Sequence, residues 1–132
     1  MTSLSKQTIV SAAVVMEAQA VNQQHMLNEG MYDGFKQEGT VCVPVDDVNL
    51  SSYHIQQLVS EIGEVLECDK RWKNIRNGKY DKDEKLEELA DCAIVIMNIA
   101  MFSGFSGEQF FGAIADKIDK VHDRIIEESM KC

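Results

Sequence analysis

The chain has one proline, Pro44, and only 7% aromatic residues. That scarcity argues against a many-stranded sheet protein, whereas long runs free of Gly and Pro suit helices. No segment approaches the ~18 consecutive apolar residues that a membrane-spanning helix needs. Positive charge is also scarce: 13 Lys and Arg stand against 22 Asp and Glu, for a formal net charge of −9. A duplex is itself a polyanion and needs a basic footprint, so a nucleic-acid partner is not expected. An acidic protein still binds a small phosphate ligand if metal ions stand between the charges. The cysteines Cys42, Cys68, Cys92 and Cys132 include no CxxC pair. Cys68 and Cys92 fall inside helical patterns and read as small buried or half-buried thiols, which fits a reducing cytoplasm. The N-terminus imitates a secretory leader, with Lys6, an apolar stretch from Ile9 to Met16, and Ala18-Gln19-Ala20. The stretch is short, broken by Ser11 and followed at once by Glu17, so the leader reading is set aside.

What is present describes one domain over residues 1–132, since 45% hydrophobic content suffices for a single core. Apolar residues at helical spacing (Ile9, Ala12, Ala13, Met16, Ala20) predict a first helix within residues 5–27, ending near Gly30. Gly30, Gly34, Gly39 and Pro44 make 29–49 a long loop, in which 40–43 could be extended, and Tyr32 and Phe35 could form part of a lid. Ser51 or Ser52 is the expected cap of a second helix running to about Asn74. Its expected buried stripe is Ile55, Leu58, Val59, Ile62, Val65 and Leu66. A third helix is expected from about Asp83 to Ser103, apolar on nearly every side from Leu89 to Phe102 and therefore buried all round. Gly104 should end it. Ser106 with Gln109 resembles a capping box for a fourth helix, whose apolar face is Phe110, Phe111, Ile114, Ile118, Val121 and Ile125. The expected fold is all-α and four-helix bundle-like, assembled as a homodimer or homotetramer because the third helix is too apolar for a monomer's surface.

Glu61 and Glu64 lie three residues apart on the second helix, hence on one face, and Glu88 and Asp91 repeat the arrangement on the third. Like charges at that spacing cost each helix a few tenths of a kcal/mol, so something positive should compensate. Hard divalent cations take oxygen ligands, and four carboxylates from two facing helices suit Mg²⁺ or Mn²⁺. Either pair alone reads as a solvated acidic face; the two together, one leading straight into an apolar helix, favour metal.

The segment Glu61-Ile62-Gly63-Glu64-Val65, followed after a basic linker by Glu87-Glu88-Leu89-Ala90-Asp91, resembles the ExxE and ExxD signature of the MazG-like, all-α nucleoside triphosphate pyrophosphohydrolases. The likeness covers roughly residues 51–126 and takes in Gly63, the apolar run to Asn98-Ile99-Ala100, the Gly104 break, and Lys117 with Arg124. It implies hydrolysis between the α- and β-phosphates to a nucleoside monophosphate and pyrophosphate, as nucleotide-pool housekeeping. It also implies that Glu61, Glu64, Glu88 and Asp91 ligate the metal and that Glu61 or Glu64 orients or deprotonates the attacking water. The chain departs from the pattern at Ser60, where many members carry another Glu, and at Val121, where many carry Asn.

Beyond the carboxylates, Lys117 and Arg124 are two helical turns apart on one face and could reach the β- and γ-phosphates; Lys73 and Arg76 are weaker candidates. Lys117 and Arg124 could equally decorate a solvated face. Asn98 lies seven residues beyond Asp91, about 10 Å along the same helix face, and could bind sugar or base or be a satisfied core amide. Trp72 could stack on a base, although a lone Trp is more often core or interface. His54 faces the same way as Glu61 but reads first as structural, and the three histidines have no zinc spacing. A di-iron bundle would need Glu-x-x-His on two helices and is not supported. The remaining alternative is a non-catalytic nucleotide-binding or regulatory module of the same fold.

Overall fold

The computed structural model describes residues 3–32, 42–73 and 80–131. Among them the chain is all-helical and bundle-like: α1 (Lys6–Asn28), α2 (Val48–Cys68), α3 (Lys82–Met101) and α4 (Gly107–Ser129), with a 3-10 turn over Lys70–Lys73 and no strand. The helix ends follow from side chains that satisfy orphan backbone groups. Ser5 accepts from the Thr8 N–H at 3.1 Å to start α1. Gly30, at φ +64°, turns the chain out of it. Asp81 caps α3 by accepting from the Glu84 N–H at 3.0 Å, and Asp83 and Glu84 suit the positive end of the helix dipole. Ser106 and Gln109 form the predicted capping box, and Gly104 (φ +86°) makes the turn before it.

The second helix differs from expectation at both ends. Asp47 is its cap, accepting from the N–H groups of Asn49 and Leu50, each at 3.0 Å, while the Ser51 hydroxyl donates to the Val48 carbonyl inside the helix. The helix stops at Cys68, short of Asn74, because Asp69 takes extended backbone and bridges to Tyr80. The Asp69 carboxylate accepts from Arg71 Nε and Nη2 at 2.7 Å and from Lys85 Nζ at 2.9 Å. Arg71 lies over the Tyr80 ring at 3.6 Å, closing the turn between α2 and α3. These cations hold the Asp69 carboxyl well below the usual carboxylate range, Arg71 first and Lys85 second. The 33–41 and 74–79 segments, with the candidate lid residue Phe35, Arg76 and half of the possible extended stretch, lie outside the described residues.

Packing pairs α2 with α3 and α1 with α4, and α1 against α3 joins the two pairs. One apolar cluster joins Met16 of α1 to Met97, Ala100 and Met101 of α3, with Phe110 and Phe111 of α4 against it. A second gathers Leu27, Tyr32, Leu50 and Phe102. Gly107 lets α4 start directly on α1: a Cβ there would sit 3.0 Å from the Ala13 carbonyl oxygen. Among the described residues no helix is long and apolar enough to cross a membrane.

The predicted apolar stripe of α2 does not face the core. Ile55, Val59, Ile62 and Leu66 are exposed, Leu58 and Val65 are half-buried, and the buried residues are Leu50, His54 and Cys68. The helix turns its polar side inward, because that side carries the glutamates and His54 that meet α3. Nor is α3 buried all round: Val95, Met97, Asn98, Ala100 and Met101 are buried, whereas Leu89, Ile94 and Ile96 are exposed. On α4 only the first turns of the expected face pack; Ile114, Ile118, Val121 and Ile125 are exposed. Cys68 is buried and Cys92 half-buried, as expected.

Candidate metal centre and adjoining cavity

Side-by-side packing of α2 and α3 brings the two carboxylate pairs together. One oxygen each from Glu61, Glu88 and Asp91 lie within 4.8 Å of one another. The Glu64 carboxylate, on the solvent side, is within hydrogen-bonding reach of both Glu61 and Glu88. Two carboxylates share a hydrogen bond only if one is protonated. As carboxylates, Glu61 and Glu88 each leave Oε2 buried without a partner. The contact with Glu64 pushes the Glu88 carboxyl up to about 7, with burial and the charges of Glu64, Asp91 and Glu61 acting the same way. Burial, then the charge of Glu64, also pushes Glu61 above its ordinary value.

Unpaired buried oxygens are costly, and a cation is the group that would satisfy both at once. The fit can be tested by size. Ligands on opposite sides of Mg²⁺, at ~2.1 Å each, are about 4.2 Å apart. Three ligands include at most one such opposed pair, the others standing about 3.0 Å apart, so oxygens up to 4.8 Å apart would draw inward by side-chain rotation when an ion binds. The donor set is all oxygen, which suits Mg²⁺ or Mn²⁺ and offers nothing to a softer ion.

A cavity of about 330 Å³ opens beside the carboxylates, with Glu61 and Asp91 in its wall. The rest of the wall is largely uncharged and rich in amides and rings. Asn98, only 4% exposed, accepts at Oδ1 from Gln19 Nε2 at 3.0 Å, so the buried amide predicted from sequence has its partner and also lines a cavity. His54 is 2% exposed; its ring stacks on Phe102 with centroids 5.3 Å apart and planes 4° from parallel. Its Nδ1 lies 3.1 Å from Gln57 Oε1, and its Nε2 lies 3.1 Å from the Tyr32 hydroxyl, which is hydrogen-bonded to the Gln23 amide. Burial holds the His54 ring below its ordinary pKa against the opposing pull of Gln57, and burial pushes the Tyr32 phenol up to about 12.

Not every predicted contact residue reaches this place. Trp72 is exposed on the 3-10 turn, with the Lys73 ammonium 5.4 Å from its ring centroid, and neither residue lines the cavity. Lys117 lies on α4, beside a separate apolar groove formed with Ile114, Ile118 and Val121. Arg124 is exposed on the same helix, which packs on α1. Tyr32, a candidate for a lid, is buried in the wall itself. Sequence reasoning missed Gln19, Gln23, Gln57 and Tyr53. The one available signal was the run of amides late in α1, which reads as a polar surface until Gln23 proves 3% exposed.

Compared with models of known families, with curated proteins and with solved structures, the chain finds no match in any of the three.

Proposed function

We propose that the protein is a metal-dependent hydrolase that cleaves a nucleoside triphosphate between its α- and β-phosphates, releasing the monophosphate and pyrophosphate. The observation that carries the reading is the pair of buried, partnerless oxygens of Glu61 and Glu88, beside Asp91, at the edge of a mostly neutral cavity. Supporting it is the resemblance of the ExxE and ExxD segments to the MazG-like pyrophosphohydrolases.

In this reading Glu61, Glu88 and Asp91, with Glu64 against them, hold Mg²⁺ or Mn²⁺. When bound, the cation neutralises phosphate oxygens and makes bound water more acidic. Glu64, the exposed member of the Glu61/Glu64 pair, or Glu61 takes the proton from the attacking water. The water oxygen bonds to the α-phosphorus, the bond from that phosphorus to the α–β bridging oxygen breaks, and pyrophosphate leaves. The cavity takes the base and sugar: 330 Å³ is at the small end for a ligand site, room for part of a nucleotide, with the triphosphate left at the carboxylates. Asn98 lies on the base side of that division.

The chain acts as a homodimer or homotetramer in this account. Ile55, Val59, Ile62 and Leu66 form one exposed stripe on α2, and Ile114, Ile118, Val121 and Ile125 another on α4. Apolar surface of this extent is unusual on a monomer. Lys117 and Arg124 meet the triphosphate only if assembly brings α4 of one copy to the carboxylates of another. The free thiols suit a cytoplasmic setting.

The test is chromatographic separation of products from ATP, GTP, CTP, UTP and their deoxy forms with Mg²⁺ or Mn²⁺. Monophosphate and pyrophosphate in equal amounts support the reading. Nucleotide binding without turnover of any of them would replace it with the non-catalytic alternative.

A further inference from the structure

The cavity wall contains a chain of four polar groups whose protons can be counted. Gln23 Oε1, the Tyr32 hydroxyl, the His54 ring and Gln57 Oε1 make three successive contacts. Three contacts need three protons; the phenol supplies one and a neutral imidazole one. Burial disfavours the charged ring, so the neutral imidazole is the form counted. One of the two amides must therefore turn its NH₂ group toward the chain. If Gln57 does so, donating to Nδ1, its carbonyl is left for the cavity. If Gln23 does so, donating to the phenol oxygen, His54 Nδ1–H holds the Gln57 carbonyl and the NH₂ is left for the cavity. In both arrangements the ring engages one end of the Gln57 amide and leaves the other for a ligand.

Gln57 differs in this from the other glutamines of the wall. Gln19 is engaged at both ends, donating to Asn98 Oδ1 and accepting from Asn22 Nδ2 at 3.2 Å. Gln23 is 3% exposed, behind Tyr32. Gln57 is half-buried and sits one helical turn before Glu61, on the face that meets the carboxylates. A carboxamide reads a base by offering a donor or an acceptor in a fixed direction, and discrimination fails if the amide can rotate.

We propose that Gln57 is a specificity-determining residue that reads the base edge of a nucleotide in this cavity, and that His54 is the positioning residue that holds one end of the Gln57 amide so that the base meets the other. The inference rests on the nucleotide reading above and adds to it a group that discriminates among bases.

The experiment compares wild type with Gln57→Ala, His54→Asn and His54→Phe in two assays. One is kcat/KM for ATP, GTP, CTP and UTP with Mg²⁺; the other is calorimetric titration with the four ribonucleosides without metal. Gln57→Ala should compress the spread between best and worst nucleotide on the order of tenfold, in KM rather than kcat, with metal dependence unchanged. His54→Asn places a carboxamide near the position of Nδ1 and should keep the ranking of bases. His54→Phe keeps a flat ring against Phe102 but cannot bond to Gln57, and should lose the ranking. If His54 only fills the stack, the pattern reverses: Phe retains the ranking and Asn loses it, which overturns the positioning role. Gln57→Ala that leaves all four nucleotides in proportion overturns the reading role, and it decides the matter should a His54 variant fail to fold. Nucleoside binding that responds to Gln57 in a protein without turnover would sink the hydrolase reading and uphold this one. Proportionate hydrolysis with no nucleoside binding would do the opposite.

Discussion

Replacing Glu88 by Gln should remove a pH dependence of stability that the carboxylate cluster builds into the metal-free protein. Glu88 titrates near 7 in the folded chain instead of near 4.5, chiefly through its contact with Glu64. The folded state therefore binds more protons than the unfolded state between those values, and stability must fall as pH rises through that window. Glu61, also raised, acts with the same sign. Asp69 acts on the other side: its lowered pKa adds stability above the ordinary carboxylate value that is lost only as pH falls below it. Repulsion from the net charge of −9 also grows with pH, but differs by only one charge between the two proteins, so the difference between them reports chiefly on the cluster. Metal should reverse the loss. An ion at a hundredfold above its Kd stabilises by about 2.7 kcal/mol. With an unfolding entropy of ~2.1 cal/mol/K per residue over 132 residues, that raises Tm by about 10 °C. The assay is thermal melting of wild type and Glu88→Gln from pH 4.5 to 8, with chelator and with excess Mg²⁺. Wild type in chelator should lose Tm across the window and regain it with Mg²⁺, while the variant should be flatter in chelator and gain less from Mg²⁺. Parallel curves for the two proteins in chelator would refute the reasoning.

Glu64→Gln and Asp91→Asn should each abolish turnover while the metal-free fold stays intact or gains stability; near-normal rates at saturating Mg²⁺ in either would contradict the site. Asn98→Ala should alter the ranking of nucleotides with metal binding retained, whereas Lys117→Ala should weaken all triphosphates alike, both read as kcat/KM. Light scattering should give a multiple of 14.8 kDa, and Val59→Glu on the exposed α2 stripe should lower it; a 14.8 kDa wild-type particle at micromolar concentration would end the oligomer proposal. Gly107→Ala should destabilise by about 1–3 kcal/mol in denaturant titration, because the added methyl meets Ala13 backbone atoms that have little room to move.

The sequence carried the helix boundaries wherever a local device sets them. Ser106 with Gln109, Gly104 and Gly30 act within a few residues of their own positions, so their signals survive without knowledge of the fold. At the start of α2 a serine and an aspartate competed, and the aspartate won because its carboxylate accepts two N–H groups at once. Glu61, Glu64, Glu88 and Asp91 were legible as a group because helical spacing fixes each pair and only one packing step, α2 on α3, unites them. The apolar stripe of α2 shows where pattern stops informing: periodicity identifies an apolar face but not what covers it. His54 and Gln23 were illegible for a related reason. A buried polar residue is recognised by its partners, and Tyr32, Gln57 and Phe102 come from other turns and other elements. The lysine and arginine of α4 share a face as predicted, but that helix packs on α1, away from the carboxylates of its own chain.

The most direct test of the central claim is calorimetric titration of Mn²⁺ into wild type and Asp91→Asn at pH 7.5. The account predicts saturable binding by wild type, accompanied by proton release as Glu88 ionises, and binding weakened at least tenfold in the variant, on the scale expected for loss of one ligand. Saturable binding of equal strength in both proteins, or no binding by wild type at millimolar Mn²⁺, would contradict it.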